Sequence, residues 1–307
     1  MFSYVVTTGP LPDMSSSSQT IAVVGPGAIG CVVGARLAAS TAHDVTLCGR
    51  RVFDSVEVDA PDGRVSAALR PLLDPRQASP VDWVLFAVKS HQTVGAAPWL
   101  AGLVRAGTTV AILQNGVEHA DRLAPFVDRS QLLPVIVKCP AVAVAPGRVV
   151  QRGPAELVVP PSSAGGAFRA LLAGTAITVT VAGDFVSAAW RKLCSNAAAG
   201  AITALTGKPV NVTQRPDVAQ LARALVEECM AVGRAEGARF PPDFVDTLLD
   251  AWRSAGPDAT TSMLQDRRAG RPLEYDARNA VVVRTGERHG IATPLSRAVV
   301  ALLAALD

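Results

Sequence analysis

The chain has 307 residues, a formal net charge of +3, 49% hydrophobic residues and 18% charged residues. That length predicts about two domains, able to bury their cores without a stabilising metal or disulfide. The apolar content excludes a disordered chain, and so small and scattered a positive charge leaves no footprint for nucleic acid, so small molecules are the expected partners.

Residues 1–19 lack a basic start and a continuous apolar core, so they do not read as a signal peptide. They are expected to form a disordered tail, with Met14 as an alternative start. No later run approaches the roughly 20 apolar residues of a membrane span, so a cytoplasmic protein without a membrane partner is expected. From Thr20 onward short apolar runs alternate with helical segments: strands at 21–24, 44–48, 82–88 and 108–113, and a helix at 28–39. Strands apolar on both faces and separated by helices indicate a parallel sheet covered on both sides. Between 131 and 160, Val-rich stretches broken by Pro140, Pro146-Gly147, Gly153-Pro154 and Pro160-Pro161 predict added strands, antiparallel pairing included, and 177–181 is expected to end the sheet.

After Gly183 the periodicity turns helical and stays so. Asp184 is the expected N-cap of a helix running to about Leu205 and stopped by Gly207 and Pro209, with further helices at about 214–236, 241–254, 259–269, 273–289 and 294–306. The fold class predicted is therefore an α/β N-terminal domain, 20–183, followed by an all-α C-terminal domain, 184–307. Cys31, Cys48, Cys139, Cys194 and Cys229 are odd in number and form no CxxC pair, which predicts reduced, packed thiols and no metal.

Gly25-Pro26-Gly27-Ala28-Ile29-Gly30 follows an apolar strand and opens a helix, the context that a dinucleotide-binding GxGxxG requires. Gly25 permits the tight turn, Gly27 the close approach of a pyrophosphate and Gly30 the packing of the helix, with phosphates at the helix N-terminus. About 20 residues on, an NAD enzyme places an acid for the ribose 2′-hydroxyl, whereas this chain has Cys48-Gly49-Arg50-Arg51. A guanidinium pairs with a 2′-phosphate, so NADPH (NADP+) is the expected cofactor, with Arg50 the first choice and Arg51 assisting.

Only four lysines occur, Lys89, Lys138, Lys192 and Lys208. Lys192 and Asn196 are spaced i, i+4 and share one helix face, so a cationic acid and an amide point together toward whatever lies alongside. Lys89 and Asn115 lie just beyond apolar strands, at the carboxyl ends where ligands of open α/β sheets bind. None of His43, His91, His119 and His289 forms an evident acid with a carboxylate partner, and His91 is a candidate for lining the cofactor cleft. Trp190, Trp252 and Tyr275 flank site candidates but read as core packing.

With these motifs the chain resembles the ketopantoate reductase (2-dehydropantoate 2-reductase) family over residues 20–307. The resemblance rests on Gly25 to Gly30, Val88-Lys89-Ser90-His91-Gln92, Gln114-Asn115-Gly116, Trp190-Arg191-Lys192-Leu193-Cys194-Ser195-Asn196, and Ser262-Met263-Leu264-Gln265-Asp266 leading to Glu274. It implies a Rossmann-type domain plus a helical domain, and NADPH-dependent reduction of 2-dehydropantoate to pantoate on the route to pantothenate and coenzyme A. By the same resemblance Lys192 is the general acid, Asn115, Lys192, Asn196 and Ser262 bind substrate, and Lys89, Asn115 and Glu274 join the glycine-rich loop and Arg50 around the cofactor, Glu274 binding ribose hydroxyls or orienting the lysine, with Gln92 a weaker candidate. An ammonium beside the ketone oxygen stabilises and protonates the charge left there by hydride transfer, and partial burial brings its pKa toward working pH.

Two departures stand out. Gly200 occupies the position where the family often has a second substrate asparagine, which is expected to remove a donor and widen the pocket, so that the substrate is held differently or is a different 2-oxo acid. Lys138-Cys139-Pro140-Ala141-Val142 lacks the threonine-rich character of the corresponding family loop. The alternatives are a family reductase acting on another 2-oxo acid, a β-hydroxyacid dehydrogenase, disfavoured by Ala188 where that group has glycine, and a non-catalytic NADPH-binding sensor. A homodimer is the expected assembly.

Overall fold

A computed structural model describes residues 18–306. The expectation of a disordered tail and the alternative start at Met14 thus fall outside the described residues, apart from Ser18 and Gln19. Those two are tied down: Ser18 Oγ donates to the Ala42 carbonyl at 2.8 Å and the Gln19 amide to His43 Nδ1 at 3.2 Å.

The chain opens with β1 (Thr20–Val24), α1 (Ala28–Ser40) and β2 (Asp44–Cys48), then turns back through a hairpin of β3 (Val56–Ala60) and β4 (Gly63–Ala67). It continues with β5 (Trp83–Phe86), α2 (Thr93–Leu103), β6 (Thr109–Ile112), α3 (His119–Leu123) and β7 (Leu132–Pro134). The main sheet has the order β2-β1-β5-β6-β7 with every pairing parallel. Ile21, Val23, Trp83 and Leu85 enter one apolar core while Ala22, Val24, Val84 and Phe86 enter another, so the strands are apolar at every position because both faces are buried. β1 has β2 on one side and β5 on the other, and this reversal of direction leaves a crevice at the carboxyl ends of β1 and β5.

Four strands, β8 (Ile136–Lys138), β9 (Ala141–Ala145), β10 (Arg148–Gln151) and β11 (Ala155–Val159), then α4 (Ser163–Leu171) and β12 (Ile177–Val181), complete the α/β part. Here the structure corrects the sequence reading. Residues 177–181 do not end the parallel sheet, which stops at β7; β12 pairs parallel with β11 in a separate sheet of order β12-β11-β8. The crossover helix α4 joins β11 directly to β12, and a short crossover makes its two strands neighbours. The unexpected hairpin β3–β4 joins β10 and β9 in a third sheet of order β4-β3-β10-β9. α1 lies between this sheet and the main one, which is why residues 30–37 are buried without a break. The one charged residue among them, Arg36, extends to Asp62 in the β3–β4 turn, 2.7 Å from Oδ1.

The rest is helical: α5 (Phe185–Thr206), α6 (Pro216–Ala235), α7 (Phe244–Arg253), α8 (Ser262–Arg268), a π-helical turn Asp276–Ala280, α9 (Val281–Arg288) and α10 (Pro294–Ala304). Asp184 caps α5 by accepting the Ser187 amide at 3.1 Å, and Gly207 ends it in the left-handed conformation at φ +70°. Trp190, Trp252 and most of α5 enter a helical core distinct from those of the sheet, with Tyr275 packed at its edge. No described helix is long and apolar enough to cross a membrane.

The cysteines are free thiols, and all but Cys139 are buried. Burial pushes Cys31 and Cys48 up to about 12, so the thiol in the first turn of α1 is a packed one rather than an activated nucleophile.

Candidate active site

The glycine-rich loop has the form a dinucleotide needs. Gly25 sits at φ +94°, and a Cβ there would stand 2.7 Å from the Val88 backbone nitrogen, so only glycine makes the turn beside the neighbouring strand end. A Cβ on Gly30 would stand 2.2 Å from the Gly25 carbonyl oxygen, so α1 starts flush against the loop. Around Gly27 there is nothing within 4 Å of a would-be Cβ: the loop opens here, at the N-terminus of α1, where amides and helix dipole favour phosphate. Pro26, Ala28 and Ile29 complete the loop. Arg50 and Arg51 follow β2, are exposed, and have no ion-pair partner among the described residues. These groups fit a dinucleotide.

Across the crevice the sequence candidates converge. A pocket is lined by Asn115 and Gly116 beyond β6, His119 of α3, Ile136 of β8, and Lys192 and Asn196 of α5. The i, i+4 spacing places Lys192 and Asn196 together on the face of α5 that meets the α/β part. Lys192 Nζ donates to the Val137 carbonyl and stands 3.5 Å from Asn115 Oδ1. The Asn196 amide makes no hydrogen bond among the described residues and remains available to a ligand.

Burial lowers the Lys192 ammonium from its ordinary range to about 7, and nearby Arg278 and Lys138 push the same way, outweighing Glu274 and Cys139. His119 is buried; desolvation first, and Lys192 in addition, bring it down to about 4 against the opposing bond to the Gln114 carbonyl at 2.9 Å. It is therefore a neutral wall of the pocket near pH 7.

Behind Asn115 lies a buried charge cluster. Glu274, 3% exposed, accepts from the Ser90 amide at 3.2 Å, Asn115 Nδ2 at 3.2 Å, Arg278 at 2.9 Å and Lys89 at 3.5 Å. Burial alone would raise its carboxyl, but Arg278, Lys89 and these donors hold it down at about 2. Lys89 is closer still to Asp266, at 2.5 Å, and Arg271 also bonds that carboxylate at 3.0 Å. Ser262, the first residue of α8, is exposed and accepts from Arg278 at 2.9 Å. Gly116, at φ +108°, lets the loop after β6 abut the π-helical turn, where a Cβ would stand 2.8 Å from the Ala277 carbonyl. The turn is pinned from its other side, since Asp276 receives Arg122 and Arg284, each at 2.6 Å.

Of the substrate-side candidates, Asn115, Lys192 and Asn196 line this pocket; Ser262, Lys89 and Glu274 lie outside its lining and are tied to it through the charge cluster behind Asn115, while Gln92 and the exposed His91 lie in the turn after Lys89. Gly200 is a correction. It lies outside the pocket lining, and a Cβ on it would stand 3.0 Å from Met263 Sδ, so the missing side chain makes room for a core methionine and does not widen the pocket. The sequence reading gave no role to His119, now in the pocket wall, or to Asp266, now on Lys89, and did not single out Arg278, now on Glu274. For Arg278 the i, i+4 spacing from Glu274 was the available signal.

Comparison with known proteins follows the same outline. Residues 21–164 match the family model described as "Ketopantoate reductase PanE/ApbA", and residues 184–307 match "Ketopantoate reductase PanE/ApbA C terminal". A 2-dehydropantoate 2-reductase of Caulobacter vibrioides is 47% identical over 287 residues, covering 92% of this chain and 98% of that protein. The crystal structure of 2-dehydropantoate 2-reductase from Geobacter metallireducens superposes with a TM-score of 0.88 at 26% identity, over 94% of this chain and 100% of that one. A ketopantoate reductase of Staphylococcus aureus, described as dimeric, superposes with a TM-score of 0.84 at 25% identity, over 94% and 98%.

Proposed function

The chain belongs to the ketopantoate reductase family and is an oxidoreductase, and from that premise we propose that it reduces 2-dehydropantoate to pantoate with NADPH, Lys192 acting as general acid. The observation that carries the reading is Lys192 Nζ itself, enclosed in a pocket between α5 and the loop after β6 with its pKa brought to about 7.

The cofactor, when bound, supplies the hydride that reduces the ketone carbon. Gly25 to Gly30 and the N-terminus of α1 would hold its pyrophosphate, Arg50 with Arg51 its 2′-phosphate, and Lys89, Asn115 and Glu274 its nicotinamide half. An ammonium has three N–H groups; the Val137 carbonyl and Asn115 Oδ1 take two, which leaves one for a ketone oxygen in the pocket. As negative charge develops on that oxygen, Nζ stabilises it and passes the proton across. The neutral amine left behind is tolerated because burial already disfavours its charged form. Asn196 offers an amide to the substrate hydroxyl or carbonyl, and Ser262 a hydroxyl to its carboxylate.

The same reading divides the chain into a nucleotide-binding domain, 20–183, and a catalytic domain, 184–307, that close around both ligands. It includes a cytoplasmic enzyme of coenzyme A precursor synthesis, and a homodimer as in the S. aureus relative. The test is NADPH oxidation followed by absorbance with 2-dehydropantoate, beside NADH and Lys192→Ala. NADPH-selective turnover that collapses in the variant is the expected result, and binding of NADPH without turnover of this or any 2-oxo acid overturns it.

A further inference from the structure

Arg278 is buried in the π-helical turn, and its guanidinium divides between two site residues. One terminal nitrogen donates to Ser262 Oγ at 2.9 Å and the other to Glu274 Oε2 at 2.9 Å, while Nε is buried without a partner. A hydroxyl that accepts from a guanidinium keeps its own proton for another acceptor, and among the described residues Ser262 Oγ donates to none. An exposed hydroxyl with a cation behind it and a free proton in front suits a carboxylate.

The Glu274 arm reaches Lys192. A carboxylate can only accept, so the Asn115 group 3.2 Å from Glu274 is the NH2; an ammonium can only donate, so the Asn115 atom facing Lys192 is the carbonyl oxygen. Glu274 thereby fixes which way the Asn115 amide points, and Arg278 with Lys89 and the Ser90 amide fixes Glu274.

We propose that Arg278 is a positioning residue for the reduction: it sets the Ser262 hydroxyl for the substrate carboxylate and, through Glu274 and Asn115, the direction of Lys192 Nζ. This rests on the function proposed above. The charged and titratable groups around Lys192 are Arg278 and Glu274 from the π-turn side, Lys138 and Cys139 from the end of β8, and His119 from α3. Arg278 is the cation among them that also touches Ser262, so one substitution reports on both arms.

The experiment uses the full-length protein as wild type, Arg278→Lys, Arg278→Met, Ser262→Ala and the Ser262→Ala/Arg278→Met double variant, each checked for folding by circular dichroism. Lys192 is titrated in the ligand-free protein by NMR of [13C]lysine, which has only four lysines to assign. Steady-state kcat and KM are taken across pH with 2-dehydropantoate and a panel of 2-oxo acids. Arg278→Met is expected to move the Lys192 titration and the alkaline limb of kcat to higher pH, because a neighbouring cation is lost and Glu274 is left unneutralised. It should also raise substrate KM about tenfold or more, and adding Ser262→Ala should cost little beyond that, since both act on one contact. Arg278→Lys retains the charge and should leave the titration near the wild-type position while KM still rises. If Arg278→Met does not fold, Arg278→Met/Glu274→Met, which removes both partners of the buried pair, takes its place in the cycle with Ser262→Ala. An unmoved Lys192 titration in folded Arg278→Met, or independent losses from the serine and the arginine, would reduce Arg278 to a structural residue and overturn the proposal. Absence of turnover with 2-dehydropantoate would sink the functional reading alone, because the ligand-free titration still decides the link to Lys192.

Discussion

A β-carbon on Gly200 would stand 3.0 Å from Sδ of Met263, a residue with no exposed surface. The glycine one turn beyond Asn196 on α5 is therefore a packing partner of α8 and lies outside the pocket that Lys192 and Asn196 line.

Gly200→Asn is accordingly expected to overpack this contact, costing about 1–3 kcal/mol and lowering the melting temperature by several degrees, with no fall in the KM for 2-dehydropantoate. Met263→Ala in the same chain should recover part of the loss. A stable Gly200→Asn protein with a lower KM would return the position to the substrate pocket.

Reduction should depend on pH through Lys192. The acid must be protonated, and its pKa lies near 7, so kcat for reduction is expected to fall as pH rises through about 7, while oxidation of pantoate, which needs the neutral amine as base, rises over the same interval. Lys192→Ala should cost roughly 10²–10⁴ in kcat and abolish that limb. A limb that survives in the variant would assign the titration to another group.

Arg50→Ala is expected to weaken NADPH binding about 10–100-fold while leaving NADH nearly unchanged, since only the 2′-phosphate loses a charge-assisted partner. Fluorescence titration of both cofactors decides it. Equal loss for both would place Arg50 elsewhere on the dinucleotide.

Glu274 predicts the acid side of the stability profile. Its carboxyl is held at about 2 against 4.5 in an unfolded chain, so its stabilising contribution is complete above about 4.5 and is lost as pH falls through that range toward 2. That amounts to on the order of 3 kcal/mol. Glu274→Gln should be less stable than wild type at pH 7, with the gap narrowing in chemical denaturation as pH falls toward 3. A gap independent of pH would show that the carboxylate is not the stabilising form.

Much of the site was legible because it follows from local rules. The turn at Gly25, the helix N-terminus behind Gly27 and the shared face of Lys192 and Asn196 depend on residues within a few positions of one another. The environment of those residues was not legible. Lys89 and Asp266 are 177 residues apart and Arg278 and Ser262 are 16 apart, and no periodicity links them until α8 and the π-helical turn fold over the ends of β5 and β6.

The same division holds for the fold. Alternating apolar segments determined a parallel α/β part followed by helices, because strands buried on both faces and helices buried on one leave different periods in a chain. Which strands pair was decided in three dimensions, as β12 shows by joining β11 instead of the main sheet. The sequence by itself determined most of the elements, the glycine-rich loop and the shared helix face of Lys192 and Asn196. Only the tertiary structure decided that Lys192 lies half-buried near Arg278, Lys138 and Glu274, that Gly200 serves Met263, and that Glu274 lies behind Asn115, because desolvation and charge coupling depend on distances that chain order does not encode.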